Sequence, residues 1–186
     1  RPYNVTHYAY ASSRKITEIN NWGNHRFTTG LGSSFSGYCY NLKLKCADAP
    51  IFSNDNGAAM NLNSTFSIGS LTAGANFTDE SGSLAIWNTE GITSMESTFY
   101  YKSQLNTDIS NWDTSQVTSM KQMFRENALF NQNINTKEVT VGAGTTLETR
   151  YNAWDVSSVT FFGKFTTNTG FSGNYHESLF FNNPHF

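Results

Sequence analysis

The chain has 186 residues and a net charge of −2, and 38% of it is hydrophobic and 14% charged. Both fractions lie below the averages of about 45–50% and about 25% in soluble proteins, while the length suits one domain with its own core. The 12 basic residues are scattered and the apolar runs are short, which argues against a nucleic-acid partner and against a membrane span.

The N-terminal stretch RPYNVTHYAYASS is rich in aromatic rings. We interpret residues 1–13 as an N-terminal extension that can act as a docking arm for another chain. Because the first residue is Arg and not Met, we expect a processed or truncated chain, and a removed leader peptide stays open. The abundance of Asn, Ser, Thr and Gly in the whole chain is typical of secreted or particle-surface proteins.

Two cysteines follow, Cys39 and Cys46. They can form a disulfide only if the backbone folds back between them. The alternative, which we favour, is that both are small buried hydrophobic residues. Next along the chain, SNDNG at Ser53–Gly57 resembles a calcium loop but lacks the later bidentate Glu, so we predict a turn there.

Other candidate sites for metals or modification are weak. The histidines are far apart and none has a ligand four residues away, so we expect no metal site. Three N-x-S/T sequons occur in a chain so rich in these residues that chance accounts for several. The histidines are His7, His25, His176 and His185, and the sequons begin at Asn4, Asn63 and Asn76.

A repeated phrase dominates the middle of the chain. WNTEGITSMESTF begins at Trp87, WDTSQVTSMKQMF begins at Trp112, and a weaker copy, WDVSSVTFFGKF, begins at Trp154. A shorter core recurs as LGSSF, LNSTF, MESTF and MKQMF, and then as LETRY or FFGKF. Since the last two overlap within one unit, we take Trp154 as the start of the final unit and residues 140–150 as a loop or an added strand.

The pattern within one unit predicts a short strand, a turn and a short helix. Extended segments are expected before each Trp, over Asn106–Trp112 and Asn131–Thr136. Ser119 and Gln122 have the spacing of a capping box, which predicts a helical turn at that position. The Asn, Asp, Ser and Thr residues between these elements favour tight turns.

One such unit cannot bury its Trp and its Met/Phe stripe alone, but stacked units can. We therefore predict a repeat solenoid of the α/β, leucine-rich-repeat-like class, with about five coils and irregular insertions, each about 4.8 Å from the next. It is expected to form a single domain over residues 14–181, followed by a C-terminal tail at 182–186. The predicted structural core is Trp87, Met95, Phe99, Trp112, Met120, Phe124 and Trp154.

The stretch ISNWDTSQVTSMKQMFRENALFNQNIN, Ile109–Asn135, resembles the BspA-like leucine-rich repeats, which also occur in mycoplasma surface lipoproteins. The likeness extends over roughly residues 14–181 and is strongest over 84–136. Lys137 stands near where the family has Trp, and residues 140–150 have no counterpart. The resemblance implies a surface-exposed, non-enzymatic solenoid used in adhesion or recognition.

If the chain resembles other leucine-rich repeats, Asp108, Ser110 and Asn111 face outward beside Trp112, with Asp113 next to them. We take these four residues as the candidate binding residues, because a row of amides and hydroxyls suits a carbohydrate or protein surface. The alternative is a face that is only soluble. Asp108, Asp113 and Asp155 occupy repeat positions, which favours hydrogen bonds to turn backbone over catalysis.

No nucleophile elbow, P-loop or dinucleotide fingerprint occurs in the sequence. We therefore expect no enzyme and no cofactor, but a structural or recognition module that binds protein or glycan in adhesion, or as a virion decoration or fibre component. Its expected location is extracellular, on a cell or on a virus particle, and other copies are possible partners through the aromatic termini. The alternatives are a secreted effector that binds a host protein and, less favoured, a glycan-active enzyme.

Overall fold

Short strands make up the regular structure of this chain, seen in a computed structural model that describes residues 16–31, 41–55, 57–67, 77–102, 104–132, 134, 139–140, 148–149 and 154. Within these ranges one 3-10 helix, Ser83–Ile86, lies between the sixth and seventh strands. The strands are β1 (Glu18–Ile19), β2 (Arg26–Phe27), β3 (Lys43–Leu44), β4 (Ile51–Phe52), β5 (Met60–Asn61), β6 (Thr78–Asp79), β7 (Ile92–Ser94), β8 (Val139–Thr140) and β9 (Glu148–Thr149).

Parallel pairing joins segments that lie in different repeats of the chain. β1, β3 and β6 form one sheet, in which Lys43 lies between Glu18 and Thr78. β2 pairs with β4, and β5 pairs with β7 with a register shift after Met60. Two isolated bridges are also parallel. One joins Gly30 to Asn61, and the other joins Ser94 in β7 to Ser119. Only β8 and β9, among the described strands, pair antiparallel.

The predicted helical turn at Ser119–Gln122 is wrong, because the backbone there forms tight turns. Gln122 has φ +56°, and Ser97, one repeat earlier, has φ +54°. A residue with positive φ cannot continue a right-handed helix. Each turn is instead closed by a hydrogen bond from the N–H of one residue to the carbonyl oxygen three residues earlier, as from Met123 N to Met120 O at 3.3 Å.

Alternate backbone N–H groups of these turns donate to the equivalent turn further along the chain. Met95 N donates to Ser119 O at 2.9 Å, and Ser97 N donates to Lys121 O at 2.8 Å. The pattern continues where Phe99 N donates to Met123 O, at 3.0 Å. A helix would direct these N–H groups along its own axis, so the left-handed residues allow the turns to hydrogen-bond sideways to each other.

The strands predicted before each Trp are not formed in the described residues. Asn106–Trp112 has no strand, and of the segment 131–136 the described residues 131, 132 and 134 have none either. β7 begins at Ile92, after Trp87, and β9 ends at Thr149, before Trp154, but neither strand runs up to its Trp. Turn hydrogen bonds, such as Trp112 N to Ile109 O at 3.1 Å, occupy the backbone where a strand was expected.

Equivalent side chains of the repeated phrase contact each other inside the core. The rings of Trp87 and Trp112 lie 5.9 Å apart and nearly parallel, at 8°. Phe99 stacks on Phe66 at 5.6 Å and on Phe124 at 5.8 Å. All seven predicted core residues are buried, namely Trp87, Met95, Phe99, Trp112, Met120, Phe124 and Trp154.

Trp154 takes the position of the next phrase Trp after an insertion. Its indole N–H donates to Ile109 O at 3.0 Å, just as the Trp112 indole donates to Leu84 O at 2.7 Å. The acceptors Leu84 and Ile109 are as far apart in the sequence as Trp87 and Trp112 are. The sequence distance from Trp112 to Trp154 is longer. The last unit therefore contains additional residues, 137–153, and β8 and β9 lie in this insertion.

Polar groups are also buried in the core. Lys102 is fully buried, and its ammonium lies 5.5 Å from the centre of the Phe77 ring, within cation–π range. Asn127, the equivalent residue one repeat later, is buried too. In the orientation that satisfies its neighbours, its amide donates to the backbone oxygens of Lys102 and Leu105, at 2.7 and 3.3 Å.

Candidate binding face

Four aromatic rings form a row in which each ring contacts the next one along the chain. Phe27 and Phe52 are 6.4 Å apart, Phe52 and Trp87 are 5.7 Å apart, and Trp87 stacks on Trp112. We call these four residues the aromatic column. Phe27 and Phe52 lie in β2 and β4, where side chains alternate between two faces, so the residue before each of these two rings is expected to point away from the core.

The outer row is the set of residues that directly precede the aromatic column. The register of β2 and β4 pairs Ile51 with Arg26. Ile86 is the last residue of the 3-10 helix, and Asn111 lies in a turn. All four are exposed, with Ile51 at 37% and Ile86 at 57% of their surface. The outer row consists of Arg26, Ile51, Ile86 and Asn111.

Three of the four predicted binding residues lie on this exposed face. Asp108, Asn111 and Asp113 are exposed, and Asn111 belongs to the outer row. The prediction is wrong for Ser110, which is only 4% exposed. The turn closed by Trp112 N and Ile109 O brings Ser110 against the protein, so it cannot present its hydroxyl to a ligand.

Both exposed aspartates hold the backbone of a turn. Asp108 Oδ1 accepts a hydrogen bond from Ser110 N, and Asp113 Oδ1 accepts one from Ser115 N, each at 2.9 Å. A carboxylate that caps the N–H two residues later is a common turn device. The turn role that the repeat positions favour therefore applies to these two aspartates, and Asp155 lies outside the described residues.

Arg26 is the one basic residue of the outer row. Asp108 and Asp113 flank Asn111 in the sequence and are exposed, as are Asp55 and Glu90. Asp55 and Arg26 form an ion pair of 3.3 Å, and both are more than half exposed. The Ser53 hydroxyl, followed by Arg26, holds the pKa of the Asp55 carboxyl below its usual value.

In the part of the chain that the structure describes, no three His, Cys, Asp or Glu residues come together in a group that could hold a metal ion. The SNDNG segment is a turn, with Gly57 N donating to Asn54 O at 3.0 Å. The ring of His25 packs edge-on against Phe27 at 4.8 Å. The other three histidines, His7, His176 and His185, lie outside the described residues.

Cys46 is a free, buried thiol, and its Sγ lies 3.2 Å from the Ser83 hydroxyl. Cys39 lies outside the described residues. The Asn63 sequon is part of the packing between repeats, since Asn63 Oδ1 accepts hydrogen bonds from Ser94 Oγ at 2.7 Å and Glu96 N at 2.9 Å. The sequons at Asn4 and Asn76 lie outside the described residues. Among the described residues, no helix has the length and apolar character needed to cross a bilayer.

The two exposed isoleucines of the outer row were not among the predicted binding residues. Ile51 precedes Phe52 in ADAPIF, and Ile86 precedes Trp87 in LAIW. The sequence contains a signal for their exposure. Asn111 directly precedes Trp112, as the isoleucines precede their aromatic residues, and Asn111 was predicted to face outward. Aligning the repeats on their aromatic residue, with the longer step from Phe52 to Trp87 included, identifies both isoleucines as exposed apolar residues.

Comparison with known proteins assigns the chain to a family. The chain belongs to the family described as Mycoplasma protein of unknown function, DUF285, whose model matches residues 61–178, more than half of its length. The matched range begins at the second residue of β5 and includes Trp87, Trp112 and Trp154, which is consistent with a mycoplasma-type surface repeat. No curated protein matches the chain. No solved structure matches it either.

Proposed function

We propose that this chain is a non-enzymatic recognition module, built as a solenoid of BspA-like leucine-rich repeats. The observation that carries the proposal is the contact between equivalent residues of successive phrases, above all the stacked indoles of Trp87 and Trp112. Backbone hydrogen bonds that run from one phrase to the next, as from Met95 N to Ser119 O, support the same arrangement. A stack of this kind presents equivalent side chains in rows, which suits the binding of extended surfaces.

The proposed binding surface is the exposed face around the outer row. Asn111 offers an amide, and Asp108 and Asp113 add carboxylates, on a segment whose backbone is held by hydrogen bonds. Sites placed on such fixed elements need little ordering when they bind a ligand. We propose a protein or glycan surface as the ligand. An adhesin or a decoration or fibre component of a virus particle fits this role.

We propose that the protein acts outside the cell, on a cell surface or on a virus particle. Its composition supports this location, since a surface of amides and hydroxyls replaces the charged residues that are usual elsewhere. The family description, which refers to mycoplasma proteins, is compatible with it. Labelling of intact source cells and of purified particles with an antibody tests the location directly, and labelling only after lysis would contradict it.

Binding is tested with the full chain on glycan arrays and on purified surface proteins of the source environment. We expect a ligand whose affinity falls about tenfold, or about 1.4 kcal/mol, in Asn111→Arg. Gln104→Arg makes the same change at an exposed residue outside the face and is the matched control. Equal loss in both variants, or no ligand in either collection, would count against recognition through this face.

A further inference from the structure

Ion pairs accompany both strand pairings between the first two segments that the structure describes. Beside β1 and β3, Glu18 Oε1 accepts a hydrogen bond from Lys45 Nζ at 2.7 Å. Beside β2 and β4, Arg26 Nη2 lies 3.3 Å from Asp55 Oδ1. Each pair joins one segment to the other at the surface. The first segment is residues 16–31, and the second segment is residues 41–55.

A further carboxylate of the second segment, Asp48, caps the backbone of the first segment. Its Oδ1 accepts a hydrogen bond from Trp22 N at 2.9 Å, and its Oδ2 accepts one from Gly23 N at 2.8 Å. Trp22 is buried and its ring contacts Trp87 at 5.4 Å, so the cap lies where the first segment meets the core. Hydrogen bonds to an ionised carboxylate are stronger than those to a neutral carboxyl. Protonation of these carboxylates therefore weakens the contact between the two segments.

Contacts between the later phrases have a different character. Backbone hydrogen bonds such as Met95 N to Ser119 O join them, together with the stacked rings of Trp87 and Trp112. Glu96 also contacts the next phrase, but its Oε1 accepts from a neutral donor, the Ser119 hydroxyl, at 2.6 Å. Backbone hydrogen bonds and stacked rings keep their strength when carboxylates are protonated. Acid is therefore expected to weaken the two regions unequally.

We propose that the first segment is an acid-sensitive element of the fold, which opens from the second segment when its carboxylate contacts are protonated while the later phrases stay folded. The Trp22 amide is the largest cause that lowers the pKa of Asp48, and the Ser53 hydroxyl, followed by Arg26, lowers the pKa of Asp55. Their stabilisation is therefore fully present above the unfolded pKa of about 4. It is lost as pH falls through the lower folded pKa values.

Other charged or titratable side chains of the two segments lie near these contacts. Lys43, opposite Glu18 in the strand register, pairs with Glu80 of β6 at 3.0 Å. His25 is exposed, and its ring contacts Phe27 at 4.8 Å. The lysines and the arginine keep their charge on acidification, whereas their carboxylate partners lose theirs. Acid therefore removes attraction and also leaves positive charges without compensation, which favours opening further.

Amide hydrogen exchange of the full chain, followed by mass spectrometry and corrected for the intrinsic exchange rate at each pH, tests the proposal. We expect protection of the first segment to fall by about tenfold or more between about pH 6 and about pH 3.5, since one unit of pKa corresponds to a factor of ten. Protection of residues 92–102 should fall clearly less. Equal losses in both regions, or unchanged protection of the first segment, would overturn the proposal.

A double variant, Asp48→Asn with Asp55→Asn, keeps side-chain size and removes two of the titrating groups. We expect its first segment to lose about tenfold in protection at neutral pH and to respond less to acid. Asp108→Asn with Asp113→Asn is the matched control, because these carboxylates accept hydrogen bonds within their own turns.

The control variant should exchange in the first segment like the unmodified chain. Equal protection of the first segment in the two double variants at neutral pH would show that the carboxylates do not fasten it, and the proposal would fail. If the Asp48→Asn and Asp55→Asn variant does not fold, the pH profile of the unmodified chain decides, because both regions are measured in the same molecule. Ligand binding is read separately through Asn111→Arg.

Discussion

Trp112 combines burial, ring stacking and an indole hydrogen bond in a single side chain. Its ring stacks on Trp87 at 5.9 Å and contacts Phe99 at 5.7 Å. Its Nε1 donates to Leu84 O in the preceding repeat. One side chain therefore connects two successive copies of the phrase, both through apolar area and through a buried hydrogen bond.

Replacing Trp112 with Ala is expected to cost about 3–5 kcal/mol of unfolding free energy, because it leaves a cavity and an unpaired carbonyl. Gln116→Ala, at an exposed residue of the same phrase, should change stability by about 0.5 kcal/mol or less. Urea denaturation followed by circular dichroism measures both. Similar small effects of the two changes would contradict a core made of stacked phrase residues.

Gly30 is a second residue at which the packing of two segments leaves little freedom. Its φ is +80°, and a Cβ there would lie 2.0 Å from Asn61 O, because the bridge to Asn61 brings the two backbones together. Gly57 also has positive φ, at +69°, but no atom lies within 4 Å of its added Cβ. Both glycines have a left-handed backbone, but only Gly30 is also in close contact with another segment, so comparing them distinguishes the two effects.

Gly57→Ala is expected to cost only about 1–2 kcal/mol, the price of a left-handed conformation. Gly30→Ala should cost clearly more, since it adds a clash with backbone that neither segment can relieve without losing the bridge. Chemical denaturation of the two variants under the same conditions makes the comparison. A larger loss in Gly57→Ala than in Gly30→Ala would show that the approach to Asn61 does not constrain the fold.

At the scale of elements, the turns that follow Leu62, Met95 and Met120 replace the helices that the spacing predicted. Ser64, Ser97 and Gln122 occupy equivalent positions, and all three have φ between +54° and +56°. Tyr101 and Glu126, in the turns that follow the last two, have φ of +61° and +59°. Because the strained conformation recurs at each repeat, it belongs to the architecture of the turn and does not mark a single functional site.

The pair Gln122→Gly and Gln122→Ala distinguishes this turn from a helix, since both changes remove the same side chain. In a helix, Ala is favoured over Gly by about 1 kcal/mol. At positive φ the order reverses, and we expect Gln122→Gly to be more stable than Gln122→Ala by about 1 kcal/mol. Thermal unfolding of the two variants gives the sign, and a more stable Ala variant would support the helical turn after all.

Aspartates also fasten individual elements. Asp48 accepts hydrogen bonds from Trp22 N at 2.9 Å and Gly23 N at 2.8 Å, and Asp79 accepts them from Ser83 N and Leu84 N at 2.9 Å each. The Trp22 amide, more than the Gly23 amide, lowers the pKa of Asp48 below its usual value. Its contribution is therefore fully present above the unfolded pKa of about 4, and it is lost as pH falls through the folded pKa.

We expect the stability advantage of the unmodified chain over Asp48→Asn to be constant near neutral pH and to shrink between about pH 5 and about pH 3. Glu90→Gln, at an exposed carboxyl that accepts no backbone hydrogen bond among those described, is the comparison. Urea midpoints measured across this pH range give the result. An advantage that grows on acidification would mean that Asp48 does not act as a charged cap.

At the scale of the whole molecule, the insertion before Trp154 tests whether the phrase copies form one stack. Without residues 137–153, the chain would run Ile134, Asn135, Thr136, Trp154, which matches the spacing from Ile109 to Trp112. The hydrogen bond from Trp154 Nε1 to Ile109 O shows that this spacing is structurally equivalent. The proposed solenoid should therefore tolerate removal of the insertion.

Deleting residues 137–153 is expected to preserve cooperative unfolding and the near-ultraviolet circular dichroism of the buried tryptophans. Deleting a segment of the same length within the phrase, 110–126, should abolish both, because it removes Trp112 and Phe124 from the core. Differential scanning calorimetry compares the two deletions. Loss of the folded state in both would mean that the insertion supports the stack and is not an appendage of it.

The sequence alone predicted those features that depend on spacing. Equal steps along the chain place Trp87 on Trp112 and Phe99 on Phe124, because identical segments packed in register bring identical side chains together. The same reasoning identified Trp154 as the next member despite the insertion. It also predicted that repeated aspartates such as Asp108 and Asp113 act on nearby turn backbone.

Only the tertiary structure decided how the backbone between these residues is arranged. Met120 and Phe124 have the spacing of one helix face, yet hydrogen bonds to the neighbouring repeat replaced helical ones and imposed positive φ at Gln122. Ser110 is buried by a local turn, and Ile86 is exposed by its place before the aromatic column. A periodic sequence specifies which residues meet, whereas the partner of each N–H depends on segments a whole repeat away, which no local pattern contains.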